Sequence, residues 1–216
     1  VFMRGGTSKA VLLRKNDLPG DLELRGRVIT AIFGSPDVRE IDGLGGADIT
    51  TSKVAVISRS TRPDCDVDYL FGQVSLRDPF TDWRVNCGNI SAAVGPFAID
   101  EGLVPVEEPY TMVRINNVNT GKHLIAKVAV EDGKSAVDGD FRIDGVLGTG
   151  TKIELDFGDV GGSATGRVLP TGNPTDVLEV GGQRYVVSIV DAANPVLFVR
   201  AQELGLRGTE SRPTFM

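Results

Sequence analysis

The chain carries two cysteines and one histidine in 216 residues, and each scarcity closes off a class of protein. Two thiols, Cys65 and Cys87, cannot staple a small secreted scaffold. The fold must therefore rest on a packed core, and the expected compartment is the reducing cytoplasm. A lone His123 cannot anchor a metal by itself, so no metal is expected. A Ser-His-Asp triad would have to run through it, and there is no Gly-x-Ser-x-Gly elbow to present the serine. No stretch reaches the roughly 18 apolar residues that a membrane span needs, and no signal-peptide pattern is visible. Positive charge is also in short supply. The 23 Lys and Arg against 29 Asp and Glu leave a net charge of -6, with no basic face for nucleic acid or an anionic membrane. A small anionic ligand stays open, because a few local donors suffice to hold a carboxylate.

What is present is a core and many turns. The apolar fraction of 41% fills a globular interior, and the length fits one large domain or one domain plus part of another. Glycine is abundant and the apolar runs are short and rich in Val and Ile, a β-rich signature. Strands are predicted at 10–13, 54–58, 67–75, 112–116, 124–130, 152–156, 166–169, 176–180, 183–190 and 196–200. Turn pairs such as Asp132-Gly133, Asp144-Gly145 and Gly181-Gly182 separate them. An amphipathic helix is predicted over Leu22 to Phe33, with Arg25 and Arg27 turned away from its apolar positions. A second helix begins near Cys87 and has no charge from Asn89 through Ile99. A helix apolar on every face must be buried on every face, and a curved sheet wrapped around it is the simplest container. Gly95-Pro96 should kink or interrupt it. One domain is expected over 1–182, with 183–216 opening a second. The chain starts on Val1-Phe2-Met3, as though a strand were under way, and has no element after Gly208. That is the pattern expected of a piece of a longer protein.

Three segments could carry chemistry. Asn86-Cys87-Gly88-Asn89-Ile90-Ser91 sets a thiol at the start of the buried helix, where free N–H groups and the helix dipole favour a thiolate or a bound carboxylate. Gly88 would let a ligand approach, and Asn89 or Ser91 could donate. The same residues also fit a buried structural cysteine with Asn86 or Asn89 as an ordinary cap. In Thr50-Thr51-Ser52-Lys53-Val54-Ala55-Val56, a lysine leads into an apolar strand, where it could act as acid or base or simply be solvated. The preceding Gly43, Gly45 and Gly46 lack the spacing of a dinucleotide fingerprint. Met3-Arg4-Gly5-Gly6-Thr7-Ser8-Lys9 gathers a cation, two glycines and two hydroxyls in a turn that could cradle a carboxylate, or could be only a turn. Asp64, Asp66 and Asp68 alternate like ligands, but no glycine and glutamate complete a calcium loop.

Taken together, these segments resemble the PrpF family. The matching stretches are MRGGTSK at 3–9, GSPD at 34–37, IDGLGGAD at 41–48, TSKVAVIS at 51–58, DVDYLFGQV at 66–74, NCGNISAAVGPFAI at 86–99, NTGK at 119–122, LPTGN at 169–173 and DAANPVLFVRAQELGLRGTE at 191–210. The family includes isomerases of methylitaconate, 2-methylaconitate and aconitate and a tautomerase of 4-oxalomesaconate. The resemblance implies an α+β, diaminopimelate epimerase-like fold: a β-barrel-like sheet around a central hydrophobic helix, plus the start of a second similar domain. It implies a cofactor-independent isomerase that shifts a C=C bond in a small unsaturated polycarboxylate. Lys53 and Cys87 fall on the catalytic pair, and Arg4, Thr7, Ser8, Ser52, Gly88, Asn89 and Asn194 on substrate-binding positions. The partners implied are the polycarboxylate and, at most, a second copy in a homodimer. An amino-acid epimerase of the same fold would need a second thiol at a second helix start, which Cys65 does not occupy. A catalytically incomplete carboxylate-binding fragment is the remaining alternative.

Overall fold

The structure, a computed structural model, describes residues 1–211; the closing segment 212–216 lies outside the described residues. The chain divides into two compact units, Val1–Gly158 and Asp159–Met216.

The first unit is a nine-stranded sheet with one helix on each face. Its strands are β1 (Phe2–Gly5), β2 (Ser8–Arg14), β3 (Lys53–Arg59), β4 (Val67–Val74), β5 (Thr81–Asp82), β6 (Tyr110–Asn117), β7 (Lys122–Glu131), β8 (Lys134–Ser135) and β9 (Glu154–Asp156). The main path runs β1-β2-β3-β4-β6-β7-β8, with β5 on β4 and β9 on β7. Neighbours are antiparallel except β2 with β3 and β4 with β6. Helix α1 (Leu22–Phe33) lies in the crossover from β2 to β3, and α2 (Gly88–Asp100) in the one from β4 to β6. The sheet curls around α2, as the uninterrupted apolar run requires. Ile90, Ala93, Val94, Phe97, Ala98 and Ile99 join one core with Ala10, Leu12, Ala55, Ile57, Tyr69, Phe71, Val113, Ala126 and Val128 from five strands.

Pro96 does not interrupt α2, which runs unbroken from Gly88 to Asp100. Its neighbour Gly95 explains the close packing, since a Cβ there would lie 2.7 Å from Val128 Cγ2 on β7. On the opposite face, Ile29 and Phe33 of α1 pack on Val11, Val54, Val56 and Val74. β3 therefore alternates Val54 and Val56 toward α1 with Ala55 and Ile57 toward α2, and is buried on both faces. Helix α1 has the predicted ends, with Asp21 accepting from Leu24 N at 2.8 Å and Gly34 in the left-handed conformation. Its buried face is narrower than expected. Leu22 and Leu24 are exposed, while Arg25 turns inward and donates to the carbonyls of Pro19 and Gly20.

In the second unit, β10 (Asp176–Val180), β11 (Gln183–Ala192) and β12 (Asn194–Val199) form an antiparallel sheet. The boundary expected at 182 falls in the Gly181-Gly182 turn of the β10-β11 hairpin, whose paired strands stay together. The strand expected at 166–169 is absent: those residues form bends, with the Val168 carbonyl accepting from the N–H of the buried Asp191. Burial works against ionisation of Asp191. The N–H and hydroxyl of Thr165, the N–H of Ala164 and the hydroxyl of Ser163 outweigh it and hold the carboxyl below the usual range.

Candidate active site

Three segments distant in sequence reach the same end of the curled sheet. Parallel pairing sets Ala10 against Lys53, so β2 and β3 start side by side. The turn before β2 lies on the first turn of α2. Gly5 and Gly6 make this approach feasible, because a Cβ at Gly5 would press on the Asn89 carbonyl and one at Gly6 would run into the Asn89 side chain. Asn89 and Thr7 then bond reciprocally, Asn89 Nδ2 donating to Thr7 Oγ1 at 3.1 Å and Thr7 N donating to Asn89 Oδ1 at 3.4 Å. Arg4 stiffens the turn by donating to the Gly6 carbonyl at 2.9 Å, and Ser8 is buried at its exit. Arg4, Thr7, Ser8, Gly88 and Asn89 are thereby brought together.

The start of α2 is open. Cys87 is its N-cap residue, in an extended conformation, and makes no side-chain hydrogen bond to the first turn. Asn86 accepts from Asn117 Nδ2 at 2.8 Å, and Asn89 is engaged with Thr7, so neither asparagine caps the helix. Gly88 and Asn89 are exposed and Cys87 is half-buried. Uncapped N–H groups at such a terminus suit an anion.

Lys53 opens β3 directly opposite Gln73 of β4. Its Nζ donates to Gln73 Oε1 at 3.0 Å and stands 5.3 Å from the centre of the Phe71 ring. Two residues away on the same strand face, Tyr69 directs its hydroxyl toward the Cys87 carbonyl at 3.4 Å. The amine and the cysteine therefore border successive inward side chains of β4. The Tyr69 phenol is pushed well above its ordinary pKa, first by burial and then by the neighbouring Cys87, so it stays a donor. Sequence inspection missed both Tyr69 and Gln73. The signal was the spacing of Tyr69, Phe71 and Gln73, which puts a polar head at the end of one apolar face.

Other expected residues have partners of their own. Ser52, fully buried, does not present its hydroxyl to a ligand but bonds to the Glu40 carboxylate. Asn194 belongs to the second unit, at the start of β12 opposite Ala192. Cys65 and Cys87 are both free thiols. Burial, ahead of the charge on Asp64, pushes the Cys65 thiol up. Among the described residues, Asp64, Cys65 and His123 form the only group that could approach a shared metal ion. Both Asp64 oxygens are already held by Arg62, at 3.1 and 3.0 Å, which brings that carboxyl down to about 2. The Arg62–Asp64 ion pair, with the His123 ring 3.4 Å from the same carboxylate, accounts for the group.

The first unit thus sets a strand-wrapped apolar helix with an open N-terminus and a thiol at its start beside a strand that opens on a lysine. The sequence matches the PrpF protein family over residues 1–216, and the chain belongs to that family. It is 59% identical over 211 residues to 3-methylitaconate isomerase of Eubacterium barkeri, covering 98% of this chain and 56% of that protein. It is 47% identical to 4-oxalomesaconate tautomerase of Pseudomonas putida, with 97% and 57% covered, and 44% identical to 2-methyl-aconitate isomerase of Cupriavidus necator, with 97% and 56% covered. The crystal structure of methylitaconate-delta-isomerase superposes with a TM-score of 0.82 at 59% identity, over 98% of this chain and 55% of that one. The chain thus spans about half the length of the relatives it matches. No helix among the described residues is long and apolar enough to cross a membrane.

Proposed function

We propose that the protein to which this chain belongs is an isomerase that relocates a C=C bond in a small unsaturated polycarboxylate, with Lys53 and Cys87 as its proton-carrying pair. The carrying observation is that the Lys53 amine and Cys87 border successive inward side chains of β4, beside the uncapped start of α2. A proton on a carbon allylic to a carboxylate-conjugated alkene is weakly acidic. Its removal leaves an extended dienolate, whose charge collects on the carboxylate oxygens. Exposed N–H groups at Gly88 and Asn89 and the Thr7 hydroxyl suit that charge. One of Lys53 and Cys87 takes the proton and the other returns one at a different carbon, so the product is an isomer of the substrate. This chemistry calls for no cofactor. Asn194, in the second unit, is assigned to a further carboxylate of the substrate. The setting we assign is the cytoplasm, where both thiols stay reduced.

The names of the relatives supply the substrates to test: methylitaconate, 2-methylaconitate and oxalomesaconate. In heavy water, proton NMR of the full-length protein with each acid should show isomerisation accompanied by deuterium at the transposed carbons. Lys53→Ala and Cys87→Ala should each slow it by about 10²–10⁴-fold, the usual worth of a general acid or base, while leaving the protein folded. Near-normal turnover by Cys87→Ala would make the thiol a pocket wall. Exchange at the α-carbon of amino acids, with none in these acids, would point to an epimerase instead.

A further inference from the structure

Glu40 is a carboxylate with 2% exposure, placed thirteen residues before Lys53 in the segment joining α1 to β3. Its backbone is left-handed, at φ 45°, a conformation that costs a non-glycine residue energy. Oε2 accepts from Ala47 N at 2.9 Å and from the Ser52 hydroxyl, while Oε1 is buried with no hydrogen-bond partner among the described residues. Gly45 packs directly on the carboxyl group, which occupies the space a Cβ would need. Stability alone is a poor reason for such a group, since an apolar side chain would fill the site without burying an oxygen unsatisfied.

The bonds lead to the lysine. Ser52 is fully buried, its hydroxyl on Glu40, and its carbonyl accepts from Gln73 Nε2 at 2.9 Å and from Val74 N at 3.1 Å. Gln73 Oε1 accepts the Lys53 amine at 3.0 Å. We propose that Glu40 is a positioning residue for Lys53, fixing the 40–52 loop through Ser52 and orienting the amine through Gln73. The inference rests on the proton-carrying role given to Lys53 above, and it goes beyond that role by naming the group that aims it.

The test uses the full-length protein with Glu40→Ala, Glu40→Gln and Ser52→Ala, in two measurements. The first is acylation of Lys53 by an amine-directed reagent, quantified by peptide mass spectrometry against exposed Lys15. Glu40→Ala should speed Lys53 labelling about tenfold, the scale of one lost charge-assisted hydrogen bond, and Glu40→Gln, which keeps an acceptor oxygen, should restore most of the difference. The second is kcat and KM on the isomerised acid. For Glu40→Ala, kcat should fall by up to about 10²-fold, as for a misplaced catalytic group, with KM little changed because Thr7 and Asn89 lie on other segments. Where Glu40→Ala does not fold, Ser52→Ala breaks the same link with a smaller change and should shift Lys53 labelling in the same direction. A folded Glu40→Ala or Ser52→Ala variant with a lowered melting temperature but unchanged Lys53 labelling would reduce Glu40 to a structural role. If the wild type isomerises none of the acids, the isomerase reading fails, while the labelling still decides the link between Glu40 and Lys53.

Discussion

The two helices of the first unit are nearly equal in length, lie on opposite faces of one sheet, and end in opposite ways. Helix α1 closes itself: Asp21 satisfies its first turn and Gly34 its last. Helix α2 is buried along most of its length, yet its N-cap residue offers no side-chain bond. Helix ends are normally satisfied, by caps or by solvent. Leaving the better-buried helix uncapped at the rim where Lys53 and Thr7 gather keeps its N–H groups free for a ligand. α1 is mounted for stability, and α2 for stability along its body and, in the function proposed above, binding at its tip.

The comparison breaks first at the body of α2. Val94 is fully buried, so Val94→Asp sets a carboxylate in the core and should cost several kcal/mol, read as loss of the folded baseline in a thermal or urea melt. Leu22→Asp on α1, at an exposed position, should melt close to wild type. Equal melts for the two would show that α2 is not the centre of the unit.

At the tip the expected difference is smaller. Cys87 is half-buried at the helix start, whereas Cys65 is buried and its thiol is pushed up. Alkylation of the folded protein near neutral pH, followed by mass spectrometry of the two peptides, should label Cys87 at least about tenfold faster, since thiolate fraction and access both govern the rate. Faster labelling of Cys65 would remove the argument for a functional thiol at the helix start. The smallest effect belongs to α1. Asp21→Ala should cost about 1 kcal/mol of stability and leave isomerisation unchanged. A loss of turnover without a loss of stability would contradict the division of labour between the helices.

Much of this was legible because it is local. The ends of α1 follow from Asp21 and Gly34, and the enclosure of α2 follows from a run without charge between Asn89 and Ile99. The Gly-Gly pair at 181–182 announced a turn, and it closes the β10-β11 hairpin. The stretch 166–169 has the composition of a strand but is bent, its Val168 carbonyl accepting from the N–H of Asp191, more than twenty residues away. Arg25 looked like a solvent-facing residue; two carbonyls of the preceding loop draw it inward. Glu40 left no trace in the sequence, since its burial arises only when Gly45 and Ser52 fold back on it. Long-range partners decided each of the features that local pattern missed.

The two parallel pairings have a kinetic consequence. A parallel pair cannot be closed by a tight turn; its ends meet only after a crossover of a dozen or more residues has been laid down. The starts of β2 and β3 are separated by all of α1 and the 40–52 loop, and β4 reaches β6 only after α2 is in place. Antiparallel hairpins such as β6-β7 can form early, from neighbouring residues. The rim that brings Thr7, Lys53 and Cys87 together is therefore among the last parts of the unit to assemble. In pulse-labelled refolding, the amides of β6 and β7 should gain protection before those at the β2-β3 junction.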